Sequence, residues 1–221
     1  MIASLFKAGE HQDILGGDGV YLRSPDLRDY EQWRQLRGES QTFLQPWEPL
    51  WTKDELSKTS FKTRIRRQSQ ERRSRIAFPF FIFKKGTNEL LGGLNLTNVR
   101  RGVSQAASLG YWMGARHAGQ GYMRRGVQCA LDYMFQKENL HRIEAACLAS
   151  NNASIGLLKR VGFHDVGYAK EYLCINGKWQ DHVLFACLQK ELLGHAMKKP
   201  QSEVDGDKQG IDAARGVKQM L

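Results

Sequence analysis

Apolar residues along the chain alternate between strand-like runs and helix-like spacing, which predicts a mixed α/β fold. Seven segments have the length and apolar content of strands, and they lie at residues 20–23, 78–83, 90–97, 107–113, 142–148, 168–175 and 179–188. Between the last two, Asn176 and Gly177 favour a type I′ hairpin turn, because both residues tolerate a positive φ.

Helices are predicted between these strands. One is expected to begin with Ser24 as N-cap and Pro25 at its first position, and to run to about residue 37. A second covers about residues 53–74, and a third follows Gly121. The apolar face of the third helix consists of Met123, Val127, Ala130, Leu131, Met134 and Phe135. Residues 43–51 carry two prolines and two tryptophans and are predicted to form a loop.

The domain organisation predicted from this pattern is simple. A chain of 221 residues can bury a full core as one domain, which is expected over residues 19–193. Residues 1–18 are predicted to be an N-terminal extension. Residues 194–221 are predicted to be a disordered tail, because from residue 197 onward the chain is polar, free of aromatic residues and rich in Gly, Lys and Asp.

Composition indicates a soluble, cytoplasmic protein. The chain is 41% hydrophobic and 25% charged, and its longest apolar run falls far short of the ~20 residues that a membrane span needs. The N-terminus lacks the order of a signal peptide, so no membrane partner is expected. The four cysteines are far apart and are interpreted as small buried hydrophobes in a reducing compartment. No Cys and His cluster has metal spacing, so no metal is expected.

Charge is unevenly distributed along the chain. The formal net charge is +10, and residues 53–75 hold nine Lys and Arg against three acidic residues. This basic segment is compatible with attraction to RNA, to an acidic protein tail or to coenzyme phosphates. It is equally compatible with a solvated helix face. A weak contact with the ribosome through residues 53–75 is therefore one hypothesis for this segment.

The most informative motif lies between the strand at 107–113 and the third helix. It contains Arg116 and His117, and ends with Gly119-Gln120-Gly121-Tyr122. Glycines let a ligand approach the backbone, and the first N–H groups of a helix attract an anion. A strand, a glycine turn and a helix in this order are thus typical of a phosphate-binding loop.

Two familiar phosphate-binding motifs are excluded at this position. Gly114 and Gly119 have the glycine spacing of a Walker A loop, but Gln120 stands where that loop needs Lys. Arg124 stands where a dinucleotide fingerprint has its third glycine. What remains is the spacing Arg-x-x-Gly-x-Gly.

A second motif follows the strand at 142–148. It begins with Asn151-Asn152, one of which is expected to cap a short helix, and it continues through Ser154 to Gly162 and Phe163. Gly162 is expected at the C′ position of that helix. The two motifs occur in order, with the expected elements between them.

Together the two motifs resemble the GNAT superfamily of N-acetyltransferases. Further segments resemble the RimJ type, the ribosomal-protein-alanine N-acetyltransferases, and they lie at residues 43–49, 141–143, 167–173 and 181–183. The likeness covers about residues 20–188. It implies a GNAT fold of the α/β (α+β) class, which is a mixed, mostly antiparallel twisted sheet flanked by helices. The coenzyme cleft would lie between two splayed central strands.

The resemblance also implies roles for the residues of the two motifs. Acetyl-coenzyme A (acetyl-CoA) would be the co-substrate. Its pantetheine arm would pair with the backbone of Trp112 and Met113, and its pyrophosphate would lie against Arg116 and the amides from His117 to Tyr122. Asn151 would contact the coenzyme or order water beside it. Ser154 would protonate the leaving thiolate, although it could equally be a first-turn helix residue that bonds its own backbone.

The general base is harder to assign, because this chain departs from the family pattern. Many family members have a glutamate on the strand before the phosphate loop, where this chain has Ser108. Others have one five residues before the asparagine, where this chain has Ala146. Glu171 is the preferred base, and Glu144 and water are the alternatives. Candidate walls of the acceptor site are Trp47 and Tyr172, and Trp47 is equally compatible with a core position.

The function expected from the sequence is acetylation of a protein N-terminus, an alanine or serine of a ribosomal protein. A family member of the same build that acetylates a small amine is one alternative, because fold alone does not decide the acceptor. The second alternative is a ribosome-assembly factor that keeps the pocket and binds RNA.

Overall fold

A single twisted sheet organises the fold of the computed structural model, which describes residues 15–191. The sheet has eight strands in the order β1-β2-β3-β4-β5-β6-β8-β7. Their bounds are β1 Leu15–Gly16, β2 Val20–Arg23, β3 Phe78–Lys84, β4 Leu90–Arg100, β5 Ala106–Met113, β6 Arg142–Leu148, β7 His164–Ile175 and β8 Lys178–Leu188. All neighbouring strands are antiparallel except β5 and β6. The expected mixed, mostly antiparallel sheet is therefore confirmed.

Helices cover both faces of this sheet. They are α1 Tyr30–Glu39, α2 Gln41–Leu44, α3 Lys58–Arg73, α4 Tyr122–Gln136 and α5 Asn152–Arg160. The larger core contains the apolar faces of α4 and α5, and a smaller core contains those of α1 and α3. Successive residues of β3 belong to alternate cores, with Ile82 in the larger and Phe83 in the smaller. This alternation is what a pleated strand with helices on both faces requires.

The parallel pair β5 and β6 separates partway along its length. Four residue pairs join the two strands, from Ala106↔Arg142 to Leu109↔Ala145. Beyond that point both strands continue, but β5 pairs only with β4 and β6 only with β8. The strands therefore splay, and the expected gap between two central strands is confirmed.

The predicted turns and caps of the later elements are confirmed. Asn176 and Gly177 have φ of 48° and 76°, as a type I′ turn requires. Asn151 caps α5, because its Oδ1 accepts the Ser154 N–H at 3.1 Å. Gly162 follows α5 with φ of 96° and donates its N–H to Lys159 O.

The start of the first helix was predicted wrongly. Ser24 does not cap it. Asp26 caps a 3-10 turn at Leu27–Asp29, and Asp26 and Asp29 form a reciprocal capping box. The carboxylate of Asp29 also receives the guanidinium of Arg23. With this buried pair in place, the 3-10 turn begins two residues later, and α1 five residues later, than the sequence pattern suggested.

Two further predictions of secondary structure need correction. Residues 43–51 are only partly a loop, because α2 ends at Leu44 and a 3-10 turn follows at Gln45–Trp47. The helix expected from residue 53 begins at Lys58, where Ser57 Oγ accepts the N–H of Ser60.

The predicted termini lie mostly outside the described residues. The predicted tail, residues 194–221, lies wholly beyond residue 191. The predicted extension, residues 1–18, overlaps β1, which pairs with β2. None of the helices within residues 15–191 is long and apolar enough to cross a membrane.

Candidate active site

The loop before α4 has the backbone of an anion cradle. Gly119 and Gly121 both adopt a left-handed conformation, with φ of 76° and 75°, which glycine alone adopts without strain. A Cβ at Gly119 would meet no protein atom within 4 Å. Gly121 is the N-cap of α4 and offers no side chain to its first N–H groups. The start of α4 therefore presents free donors beside open space.

Side chains of the same loop hold it in place. Gln120 donates its side-chain amide to Arg116 O at 2.8 Å. Arg116 donates to His117 Nε2 at 3.1 Å, which requires that nitrogen to be unprotonated. Burial lowers the pKa of His117, against the opposing effect of the Glu89 carboxylate. A neutral His117 therefore accepts from Arg116 at neutral pH.

The guanidinium of Arg116 already has carboxylate partners. Its Nη1 lies 3.0 Å from Glu39, and its Nη2 lies 3.3 Å from Glu89. Its charge is thus balanced by α1 and by the residue that precedes β4. The structure directs the Arg116 side chain to these two acids, and its expected contact with a pyrophosphate stays a prediction.

Along β5, only every second residue directs its backbone N–H and C=O groups into the gap. Gly114 donates its N–H to Leu91 O, on the β4 side. Backbone groups alternate in direction along a strand, so Met113 directs its N–H and C=O into the gap. Trp112 directs its backbone to β4, where a Cβ on Gly92 would lie 2.4 Å from Trp112 O. Of the two expected pantetheine partners, only Met113 offers its backbone to the gap.

The ring of Trp112 packs against the smaller core, on the face of the sheet that α1 and α3 cover. It meets Phe81 edge to face at 6.3 Å between centroids, and the Arg37 guanidinium lies 5.0 Å from its centroid. Arg37 is itself paired with Glu48 by two hydrogen bonds of 2.6 and 2.8 Å. This packing ties β5 to α1 and to the loop that follows α2.

Three polar side chains meet where β5 and β6 separate. Ser154 Oγ lies 2.5 Å from Tyr111 Oη and 3.0 Å from Cys147 Sγ. Burial is the largest cause that raises the pKa of Tyr111, and it also raises the pKa of Cys147. Both groups therefore keep their protons at neutral pH. Sequence reasoning found Ser154 and missed Tyr111, although Tyr111 lies on the strand that leads to the phosphate loop.

The expected acceptor wall is assembled from two distant segments. Asn176, in the β7–β8 turn, donates its N–H to Glu48 O at 2.8 Å. This hydrogen bond brings the hairpin against the segment that contains Trp47. The side chains of Trp47 and Tyr172 are 39% and 48% exposed, so both are accessible to a ligand and Trp47 is not a plain core residue.

Glu171 lies on β7 in an irregular part of the strand. Its φ is 45°, the pairing register shifts between Ala169 and Leu173, and its N–H donates to Asp181 Oδ1 at 2.8 Å. The next residue, Tyr172, packs edge to face on His182 at 5.8 Å between centroids. His182 is 2% exposed and lies opposite Leu148 at the end of β6. The sequence analysis named this histidine only within the segment 181–183 and gave it no role.

Glu144, the alternative base, is engaged by two arginines. Arg100 lies 2.5 Å and Arg142 2.9 Å from its carboxylate oxygens. Burial acts to raise the pKa of Glu144, but the hydrogen bonds from the two guanidiniums outweigh it and lower the pKa. Glu144 pairs with Ser108 in the joined part of β5 and β6, below the point where the strands separate.

Fold and site together define an acetyltransferase class, and the chain belongs to the GNAT family: residues 20–164 match its acetyltransferase (GNAT) domain model. The chain is 36% identical to the ribosomal protein uS5-alanine N-acetyltransferase of Escherichia coli. That match spans 162 residues, or 72% of this chain and 84% of that protein. The chain is thus a GNAT N-acetyltransferase similar to the ribosomal-protein-alanine type, as its sequence motifs predicted.

Two solved structures share the fold over most of their length. RimJ of Mycobacterium smegmatis, in complex with CoA-disulfide, is 31% identical with a TM-score of 0.77, covering 84% of this chain and 96% of that one. The ribosomal-protein-S5-alanine acetyltransferase of Vibrio fischeri is 29% identical with a TM-score of 0.76, covering 81% of this chain and 98% of that one.

The described residues fit a coenzyme of this kind and offer no metal cluster. The open cradle at Gly119 and Gly121 suits a pyrophosphate, and the free backbone edge at Met113 suits an extended arm that carries amides. Within residues 15–191, no group of three or more His, Cys, Asp or Glu side chains could hold a metal ion. Cys147 and Cys187 are buried, Cys129 is half-buried and Cys174 is exposed, so the prediction of buried cysteines was wrong for Cys174.

Proposed function

We propose that this enzyme transfers the acetyl group of acetyl-CoA to the N-terminal α-amine of a ribosomal protein, with alanine or serine as the first residue. The observation that carries the proposal is the open cradle before α4, combined with the gap between β5 and β6. The names of its relatives support the acceptor class. We further propose that the enzyme acts in the cytoplasm, where ribosomal proteins are made.

Direct attack of the amine on the thioester is the mechanism that fits the gap. An α-amine has a pKa of about 7.7–8.0, so a fair fraction is neutral at pH 7, and alignment of the two reactants supplies much of the rate. The Met113 N–H, which points into the gap, would stabilise the negative charge that develops on the acetyl oxygen. No acyl-enzyme is required.

The leaving thiolate would receive its proton from Ser154. Tyr111 keeps its own proton, because burial raises its pKa, so it can donate to Ser154 Oγ, which lies 2.5 Å away. A hydroxyl has one proton to donate. When Ser154 Oγ accepts a hydrogen bond from Tyr111, the proton of Ser154 itself points elsewhere, and we propose that it points towards the leaving sulfur. Tyr111 is thus proposed as the residue that orients Ser154.

Glu171 remains our proposed base. It lies on the hairpin that packs against the Trp47 segment, and no ion pair engages its carboxylate within the described residues. Glu144, by contrast, is held by two arginines and has a lowered pKa, which makes it a weaker base. Trp47 and Tyr172 would contact the first residues of the acceptor.

Acetylation of defined peptides tests the proposal. The protein is incubated with labelled acetyl-CoA and peptides that begin with the N-terminal residues of ribosomal proteins, and each peptide has a control whose α-amine is blocked. We expect label on peptides that begin with alanine or serine and none on the blocked controls. Label on spermidine or an amino sugar alone would support the small-amine alternative. Coenzyme binding with no acceptor labelled would support the RNA-binding alternative.

A further inference from the structure

Arg125 lies one helical turn after the N-cap of α4. Side chains on a helix lean towards its N-terminus, so the residue four positions after the N-cap reaches back beside it. Arg125 has this geometry: its Nη2 donates to Gln120 O at 3.3 Å, and its Nη1 lies 3.7 Å from where a Cβ on Gly121 would be. Its guanidinium therefore borders the cradle.

The position of this guanidinium is fixed by the residue at the start of the helix. Its central carbon lies 4.9 Å from the centroid of the Tyr122 ring, a stacking contact that arginine makes with aromatic faces. The side chain is thus held between the ring of Tyr122 and the backbone of Gln120, beside the free N–H groups at the start of α4.

Arg125 differs from Arg116 in having no carboxylate partner within residues 15–191. Its Nε is buried and has no hydrogen-bond partner within residues 15–191, and no carboxylate in that range forms an ion pair with it. Arg116 is neutralised by Glu39 and Glu89. The positive charge of Arg125, which no carboxylate balances, is therefore available to an anion in the cradle.

We infer that Arg125 is a phosphate contact of the coenzyme and that it binds the pyrophosphate together with the backbone N–H groups that follow Gly121. The inference rests on the proposed use of acetyl-CoA and adds a residue that the glycine motif does not include. Arginine suits this role because its planar fork can donate two hydrogen bonds to one phosphate. Arg116 then mainly holds the loop against α1.

Isothermal titration calorimetry of three variants tests the inference. It measures the Kd of each variant for unacetylated CoA and for 3′-dephospho-CoA. Arg125→Gln removes the charge, and Arg125→Lys keeps the charge but loses the fork. Arg124→Gln is the matched control, because Arg124 is the adjacent residue on α4 and is exposed. Circular dichroism and the melting temperature without ligand establish that each variant is folded.

We expect Arg125→Gln to weaken binding of both ligands by roughly 10- to 100-fold, as for a hydrogen bond to a charged group. Arg125→Lys should fall between Arg125→Gln and the unmodified protein, and Arg124→Gln should bind nearly normally. The salt dependence of binding should flatten only in Arg125→Gln, because one phosphate contact is lost.

Three results would overturn the inference. The first is a normal CoA affinity in Arg125→Gln, and the second is an equal loss of CoA affinity in Arg124→Gln. The third is a loss of affinity in Arg125→Gln for CoA but not for 3′-dephospho-CoA, which would assign the contact to the 3′-phosphate. All three presuppose that the unmodified protein binds CoA. If it does not, the coenzyme proposal itself fails. If CoA binds but no peptide is acetylated, the acceptor proposal fails and the inference about Arg125 stands.

Discussion

The hydroxyl of Ser154 has two protonated neighbours, and they decide what it can do. Tyr111 and Cys147 both approach Ser154 Oγ, and burial raises the pKa of each. Neither neighbour is a base that could take the serine proton at neutral pH. This arrangement is compatible with the proposed role of Ser154 as the proton donor to the leaving sulfur.

Removing either hydroxyl should slow acetyl transfer without weakening coenzyme binding. Ser154→Ala removes the proposed donor, and Tyr111→Phe removes the group that orients it. We expect kcat to fall by roughly 10²–10⁴ for Ser154→Ala, the range for general acid catalysis, and by less for Tyr111→Phe, while the Kd for CoA stays within about twofold. Steady-state kinetics and titration calorimetry separate the two effects. An equal loss in CoA affinity would make the pair structural.

Glu171 offers a second test on a single carboxylate. Glu171→Gln should lower the rate by roughly 10²–10⁴ at neutral pH, because the amine would lose its proton acceptor. Much of the loss should be recovered at high pH, where the amine is already neutral. Glu31→Gln, an exposed acid on α1, is the control. A pH–rate profile for each variant checks this, and near-normal activity in Glu171→Gln would leave water as the base.

Helix α3 packs against the smaller core on one side and exposes basic side chains on the other. Phe61 and Ile65 are buried in the smaller core, and Ser57 caps the first turn. The exposed basic side chains of the helix include Lys62, Arg66, Arg67 and Arg73. Arg72 is different, because its guanidinium lies 5.1 Å from the centroid of Phe80. The free face is the part available to an acidic partner.

The basic face of α3 can be tested apart from the active site. Replacing Lys62, Arg66, Arg67 and Arg73 with Gln should weaken ribosome binding and flatten its salt dependence, because phosphate contacts release counterions. Acetylation of a short peptide should change little, since the peptide needs only the cleft. Arg72 is left in place because it packs against the core. Sedimentation with ribosomes at several salt concentrations gives the measurement, and unchanged affinity would make the segment a solvated face.

In the molecule as a whole, the cleft lies where β5 and β6 stop pairing. Beyond Leu109 and Ala145, β5 and β6 diverge, and the loop before α4 lies at the end of β5. A ligand in this gap would contact α4, α5 and the sheet together. Because such a ligand binds only the folded chain, its binding should stabilise the whole domain.

Acetyl-CoA should therefore raise the melting temperature, and ATP and NAD should do so far less. Gly121→Val should remove this shift, because valine does not tolerate the φ of 75° at that position and its side chain would crowd the cradle. The strain also lowers the melting temperature without ligand, so each variant is compared with its own ligand-free value. Differential scanning fluorimetry suffices, and an equal shift with ATP would contradict the coenzyme proposal.

Local chemistry made much of the fold predictable. The type I′ turn at Asn176, the Asn151 cap and the apolar face of α4 all depend on residues a few positions apart, and all are confirmed. The start of α1 was predicted wrongly, because Ser24 and Pro25 are a valid local signal that a tertiary contact overrides. Arg23 from β2 pairs with Asp29, and Asp29 belongs to the capping box that sets the start.

Motif spacing likewise predicted the family, which is confirmed, and it placed glycines at two positions of the loop that have a φ near 75°. Side-chain partners were decided only in three dimensions. The sequence does not say that Arg116 meets Glu39 and Glu89 or that Tyr111 reaches Ser154. Such contacts join residues far apart in the chain, and their geometry depends on how the strands splay and the helices pack, which no local pattern encodes.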